Sequence, residues 1–169
     1  MEQLYQQVIL DHARRPHGRT TLGDSAGGDA AATLVQDHES CTGRSHQVNP
    51  TCGDEVTLEV SVDRAGTVPV VTGVRWEGQG CSISQASISV LYDLVVGEDL
   101  PTVDHVAATF RELLATRGAG LDDEDAEDLL GDATAFSGVG KFPARVKCAL
   151  LGWAALTDAL VRTGVRGEG

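Results

Sequence analysis

A change of hydrophobic period near the middle of the chain limits its fold more than any other feature. Val56, Leu58, Val60 and Val62 alternate with polar residues, and Val68, Val70, Thr72, Val74 and Trp76 repeat the alternation. Period two turns one face of each run towards a core. Asp63-Arg64-Ala65-Gly66 between the runs has turn chemistry, so the pair predicts an antiparallel hairpin. After Gly78-Gln79-Gly80 the spacing becomes helical, with Ile83, Ala86, Val90, Leu91 and Leu94 on one face. A further helix is predicted over 102–116, with Val103, Val106, Phe110, Leu113 and Leu114 as its stripe. Another runs from Pro143 to about Val161, burying Val146, Leu150, Trp153, Leu156 and Leu160. A short amphipathic helix over 4–14 opens the chain and ends at Pro16 and Gly18.

Strands grouped together and helices grouped together predict an α+β fold, with helices on one face of a small antiparallel sheet. At 169 residues the chain fits one domain, and we expect a single one over 1–169. Residues 18–48 are rich in Gly, Ala, Asp and Thr and read as a long, mobile connection, with a short strand conceivable around Ala32–Val35.

A formal net charge of −12 without a basic patch argues against a nucleic-acid partner. The acidic run Asp122 to Asp128 reads as a solvated helix start or loop. No stretch of about 18 apolar residues is present, so no membrane span is expected. The opening MEQLYQQVILDHARR lacks the charge pattern of a signal peptide, which leads to a cytoplasmic expectation. In that reducing setting the 4 cysteines serve as metal ligands, reactive thiols or core residues, not disulfides.

Three cysteines fall at element boundaries. Cys52 sits in Asn49-Pro50-Thr51-Cys52-Gly53-Asp54, before the first hairpin strand. If the chain is already extended there, Cys52 and Asp54 point the same way. Cys81 begins a helix, where free N–H groups and the dipole favour a thiolate. Cys148 lies in the first turns of the last helix. Thiolates with one carboxylate suit Zn²⁺. The residues come from separated segments and not from paired knuckles, so spacing alone leaves a metal site and three core cysteines equally open.

Asn49-Pro50-Thr51-Cys52-Gly53-Asp54, Gly78-Gln79-Gly80-Cys81-Ser82-Ile83-Ser84 and Lys141-Phe142-Pro143-Ala144-Arg145-Val146-Lys147-Cys148-Ala149 resemble, in order, the three cysteine motifs of the IscU-like (NifU N-terminal) iron–sulfur cluster assembly family. LYQQVILDHARRP resembles that family's opening. Lys147 stands where classical scaffolds are expected to carry His, and about 117–139 resembles the insertion of the SufU type. The resemblance therefore implies a SufU-type, zinc-dependent sulfur acceptor with an IscU-like fold. It implies Cys52, Asp54, Cys81 and Cys148 as metal ligands, and Cys52 as the residue that takes persulfide sulfur from a cysteine desulfurase (SufS type) and passes it on. Downstream iron–sulfur assembly proteins would be its other partners. The alternative the resemblance allows is a scaffold building a [2Fe–2S] cluster on the same four ligands. Arg145 and Lys147 would offset part of the formal −2 charge of zinc with four anionic ligands, and Arg145 is expected at the site or at a docking face.

Other residues have plainer readings. Cys41 lies outside the motifs and reads as a spare thiol. His12, His17 and His105 read as surface or packing residues, and Trp76 and Trp153 as core. Gly138-Val139-Gly140-Lys141 lacks the spacing and the following Ser or Thr of a phosphate loop.

Overall fold

The computed structural model describes residues 2–20, 22, 40–50, 53–64 and 66–163. Its elements are α1 (Glu2–Arg14), β1 (Ser40–Asn49), β2 (Asp54–Asp63), β3 (Val70–Gln79), α2 (Ser82–Val95), α3 (Leu100–Ala115), α4 (Glu124–Leu130), a 3-10 helix (Gly131–Lys141) and α5 (Pro143–Arg162). The three strands form one antiparallel sheet in the order β1-β2-β3. With the helices packed on it the fold is α+β, as expected. No helix among the described residues is long and apolar enough to cross a membrane.

Strand β2 carries the alternation that defines the inner face. Val56, Leu58, Val60 and Val62 are all buried, and burial of each such side chain is worth about 1.5–3 kcal/mol. On the opposite face Glu59 lies between Arg44 and Arg75, its direct neighbours in β1 and β3. Burial opposes ionisation of Glu59, but hydrogen bonds and charge from Arg75 and Arg44 prevail and hold its carboxyl below the ordinary range.

Two expectations need correction. The connection expected over 18–48 is not one at its ends. Residues 40–49 form edge strand β1, and the backbone at Gly18 and Thr20 hydrogen-bonds Trp76 on the other edge of the sheet. Strand β1 shows no hydrophobic alternation because its inward residues are Gly43, Ser45 and Asn49, not large apolar ones. Helix α5 lies so close that a Cβ on Gly43 would collide with the backbone oxygen of Ala159, and Ser45 Oγ donates to Asp158 at 2.6 Å. The candidate strand Ala32–Val35 lies outside the described residues.

The second correction concerns the phase of β3. Ser61 faces Gly73 while Val62 faces Val71, so Thr72 is an extra residue at a bulge. The bulge shifts the inward set to Val71, Val74 and Trp76, leaves Thr72 exposed, and places Val68 before the strand at 39% exposure.

Helix α3 begins where the Asp99 carboxylate accepts from the Thr102 N–H at 2.9 Å. Within the segment 117–139, residues 117–129 stay exposed or half-buried, while 130–139 contribute to the core. Leu130, Ala133 and Phe136 are fully buried, and Phe136 meets Phe110 edge-on while Phe110 stacks on Trp153 at 4.7 Å. Trp76 and Trp153 are core residues as expected.

Candidate metal centre

The site forms where three chain segments end at one place. The β1–β2 connection delivers Asn49 and Asp54, which face each other across the ladder. The Gly53 N–H donates to the Asn49 carbonyl at 2.8 Å, and Gly53 holds φ at +78°, where a residue with a Cβ is disfavoured. Strand β3 runs out at Gln79, and Gly80 leads directly into Cys81, the N-cap of α2. Cys148 lies in the second turn of α5, facing inward.

One ligand atom each of Asp54, Cys81 and Cys148 lies within 4.8 Å of the other two. Asp54 is buried, yet its oxygens are engaged. Oδ1 accepts from the Cys81 backbone N–H at 3.0 Å, and Oδ2 stands 3.6 Å from Cys81 Sγ. Cys148 is buried too, with Sγ 3.6 Å from the Ala144 carbonyl and the Asn49 side-chain amide directed at it from 3.9 Å. Zn–S bonds of about 2.3 Å and Zn–O bonds of about 2.0–2.2 Å put tetrahedral donors roughly 3.3–3.8 Å apart. The separation of Asp54 Oδ2 and Cys81 Sγ already meets that spacing, and two sulfurs with one carboxylate are donors zinc takes. The residues fit the ion.

Of the four expected ligands the structure brings Asp54, Cys81 and Cys148 together; Cys52 lies outside the described residues. Arg145 is exposed on the rim of a groove of about 620 Å³ that opens beside Cys81. Ile9, Ile83, Val139 and Phe142 line its apolar part, and Phe142 is 58% exposed. Lys147 is exposed to solvent. Cys41 is a half-buried free thiol in β1.

Two supporting residues escaped the sequence reading. Asn49 opens the first cysteine motif with no role read for it, but its amide is aimed at Cys148. Gly80 looked like a helix-start spacer, but a Cβ there would sit 2.7 Å from Asp54 Oδ1 and 2.6 Å from Ser84 Oγ. Only glycine leaves the Asp54 carboxylate its place. Both residues lie inside the cysteine motifs, which was the available signal.

Known proteins carry the same chain plan. The family of NifU-like N-terminal domains matches residues 4–149. The zinc-dependent sulfurtransferase SufU of Bacillus subtilis is 35% identical over 162 residues, 96% of this chain and 92% of its own. The iron–sulfur cluster assembly scaffold protein IscU of Streptococcus pyogenes is 33% identical, over 96% of this chain and 86% of its own. A crystal structure from Fervidobacterium islandicum, described as a SUF-system iron–sulfur cluster assembly scaffold, superposes with a TM-score of 0.67. Its identity is 27%, over 94% of this chain and 98% of its own. The motif order, the convergence of Asp54, Cys81 and Cys148, and these likenesses together make the chain a SufU-type member of the IscU-like (NifU N-terminal) iron–sulfur cluster assembly family.

Proposed function

We propose that this protein is a zinc-dependent sulfur acceptor in iron–sulfur cluster assembly, taking persulfide sulfur from a cysteine desulfurase onto Cys52 and handing it on. The observation that supports it most is the meeting of Asp54, Cys81 and Cys148 within 4.8 Å, from three segments distant in sequence. These three, with Cys52 as the fourth ligand, would hold the ion. Zinc has no redox chemistry and, when bound, keeps thiolates deprotonated and ordered at neutral pH.

The transfer itself belongs to Cys52, two residues before Asp54 in the chain. Its thiolate attacks the outer sulfur of the partner's persulfide. A bond forms from Cys52 Sγ to that sulfur as the partner's S–S bond breaks, and the electron pair leaves on the partner's cysteine as a thiolate. The sulfur arrives with its proton and its oxidation level unchanged, so no oxidant or reductant is needed. Asp54 is anchored by the Cys81 N–H and stays in place while this happens. The groove beside Cys81 gives a partner loop an apolar seat, and Arg145 at its rim attracts the thiolate that leaves on the partner's cysteine.

The likeness to the Streptococcus pyogenes scaffold favours a second reading, in which the same four residues bear a [2Fe–2S] cluster. Metal and labile sulfide per chain, measured on protein purified without added metal, separate the two. About one zinc and no iron, followed by persulfide on wild type but not on Cys52→Ser when a desulfurase and cysteine are supplied, supports the acceptor. Iron with equal sulfide and a chromophore that survives dialysis replaces it with the scaffold. Asp54→Ala should weaken zinc and lower transfer; unchanged transfer would remove Asp54 from the reaction.

A further inference from the structure

We propose that His12, His17 and Asp93 form a second divalent transition-metal site, on the face where α1 docks against α2. Ser89 and Asp93 lie four residues apart on α2 and so share one face of the helix. His12 comes from α1 and is only 7% exposed, while His17 follows α1 in sequence. The two imidazole rings meet edge-on with centroids 5.1 Å apart. One ligand atom each of His12, His17 and Asp93 lies within 4.8 Å of the other two.

The hydrogen bonds set the imidazoles up as ligands. The Asp132 carboxylate can only accept, so the contact at 3.0 Å makes Nε2 the protonated nitrogen of a neutral His12. Ser89 Oγ, which accepts the His17 backbone N–H at 2.8 Å, then donates to the bare His12 Nδ1 2.7 Å away. A carboxylate on the far nitrogen is the support that metal-ligating histidines use, since it fixes the tautomer and raises the basicity of the ligating side. It leaves the His12 Nδ1 lone pair for a cation, with Ser89 as the group displaced. His17 Nδ1 is already 2.7 Å from Asp93 Oδ1, a contact that a cation would widen by taking one donor from each.

Two imidazoles and one carboxylate suit zinc, manganese, iron(II), cobalt(II) or nickel(II) better than calcium or magnesium. Solvent reaches the pair through an open depression of about 520 Å³ beside α1, lined in part by Asp11, His12 and His17. Arg14 and Arg15 share that wall, but Arg14 turns to Asp11 at 3.9 Å, and Asp93 and Asp132 add two more carboxylates. At about 1.5 Å per residue, Asp93 lies roughly 18 Å along α2 from Cys81. The two sites share no ligand, and cobalt(II) gives different spectra with sulfur donors and with nitrogen and oxygen donors.

Tag-free full-length protein carrying its zinc is titrated with cobalt(II) and followed by visible absorption and thermal unfolding. The expected result is one further equivalent whose spectrum lacks the near-ultraviolet charge transfer of a thiolate, accompanied by a rise in Tm as the ion ties α1 to α2. His17→Gln and Asp93→Asn, both at well-exposed positions, should each weaken that equivalent about tenfold or more and leave the resident zinc untouched; Asp132→Asn should weaken it about tenfold. A wild type that takes no second equivalent overturns the proposal. So does a second equivalent that both His17→Gln and Asp93→Asn bind as tightly as wild type.

Discussion

The N-terminal end of α2 and its second half gather donor atoms by different means. At the first end, Cys81 meets Asp54 and Cys148 in a buried cluster whose only soft donors are sulfurs, 3.6 Å from carbonyl and carboxylate oxygens. At that distance those contacts are weak thiol hydrogen bonds. At the other end, His12, His17 and Asp93 already satisfy one another, Ser89 and Asp132 at 2.7–3.0 Å. An ion at the thiolate end therefore replaces poor contacts, while an ion at the histidine end displaces good ones. The difference predicts tight zinc at the first site and a weaker, exchangeable cation at the second.

The largest test of that contrast is Cys148→Ser. Cys148, a proposed ligand, lies on a helix buried against the sheet, and its loss should lower zinc affinity by more than the 10–100-fold typical of supporting residues. Zinc per chain after dialysis reads the effect. Cys52→Ser should lose less zinc yet lose sulfur acceptance altogether. Equal loss of zinc and fold in both variants would deny Cys52 a special role. Neither substitution should alter cobalt(II) binding at the histidine end.

Gly80→Ala comes next. The added methyl must displace the Asp54 carboxylate or Ser84 Oγ, because it would stand less than 3.0 Å from both. Overpacking of this kind costs about 1–3 kcal/mol, and a displaced Asp54 should weaken zinc by about tenfold or more. Urea unfolding and competition with a zinc chelator measure the two effects. Wild-type affinity in Gly80→Ala would mean that Asp54 does not need the place the structure gives it. Asn49→Ala, which removes the amide facing Cys148 without adding bulk, should weaken zinc by about tenfold with a smaller change in stability.

How much of this was legible in the sequence follows from how each part is built. Strand β2 and helices α2, α3 and α5 were readable in outline from their large apolar residues, although Ile83, Leu94, Val146 and Leu150, expected inside, are only half-buried and the 3-10 helix over Gly131–Lys141 was not foreseen. Strand β1 was not, because α5 presses on it so closely that only Gly43, Ser45 and Asn49 fit inside. The phase of β3 was misread because one extra residue, Thr72, leaves no mark in a period-two pattern until its partner strand is known. The candidate ligands were named through their motifs; spacing alone left them open, since the convergence of Asp54, Cys81 and Cys148 is a property of the tertiary fold. The histidine cluster was invisible for the same reason. His17 and Asp93 are 76 residues apart and no motif ties them.

The smallest expected effect lies away from both sites and checks that the comparison is local. Glu59 sits between Arg44 and Arg75 on the outer face of the sheet, and its carboxyl titrates below the ordinary value near 4.5. A carboxylate whose folded pKa is depressed contributes stability that is fully present above its unfolded pKa and is lost as pH falls through the folded value. Glu59→Gln should therefore cost about 1–2 kcal/mol at pH 7, the lower part of the scale of hydrogen bonds to a charged group, because solvent screens the half-exposed Arg75. The gap to wild type should shrink as pH falls below about 4.5, where the unfolded carboxyl begins to protonate. Urea unfolding of both proteins without zinc, at pH 7 and at pH 3.5, keeps acid release of metal out of the difference. A gap that stays constant across that range would mean that the two arginines stabilise the sheet by packing their stems, not by pairing with an ionised Glu59.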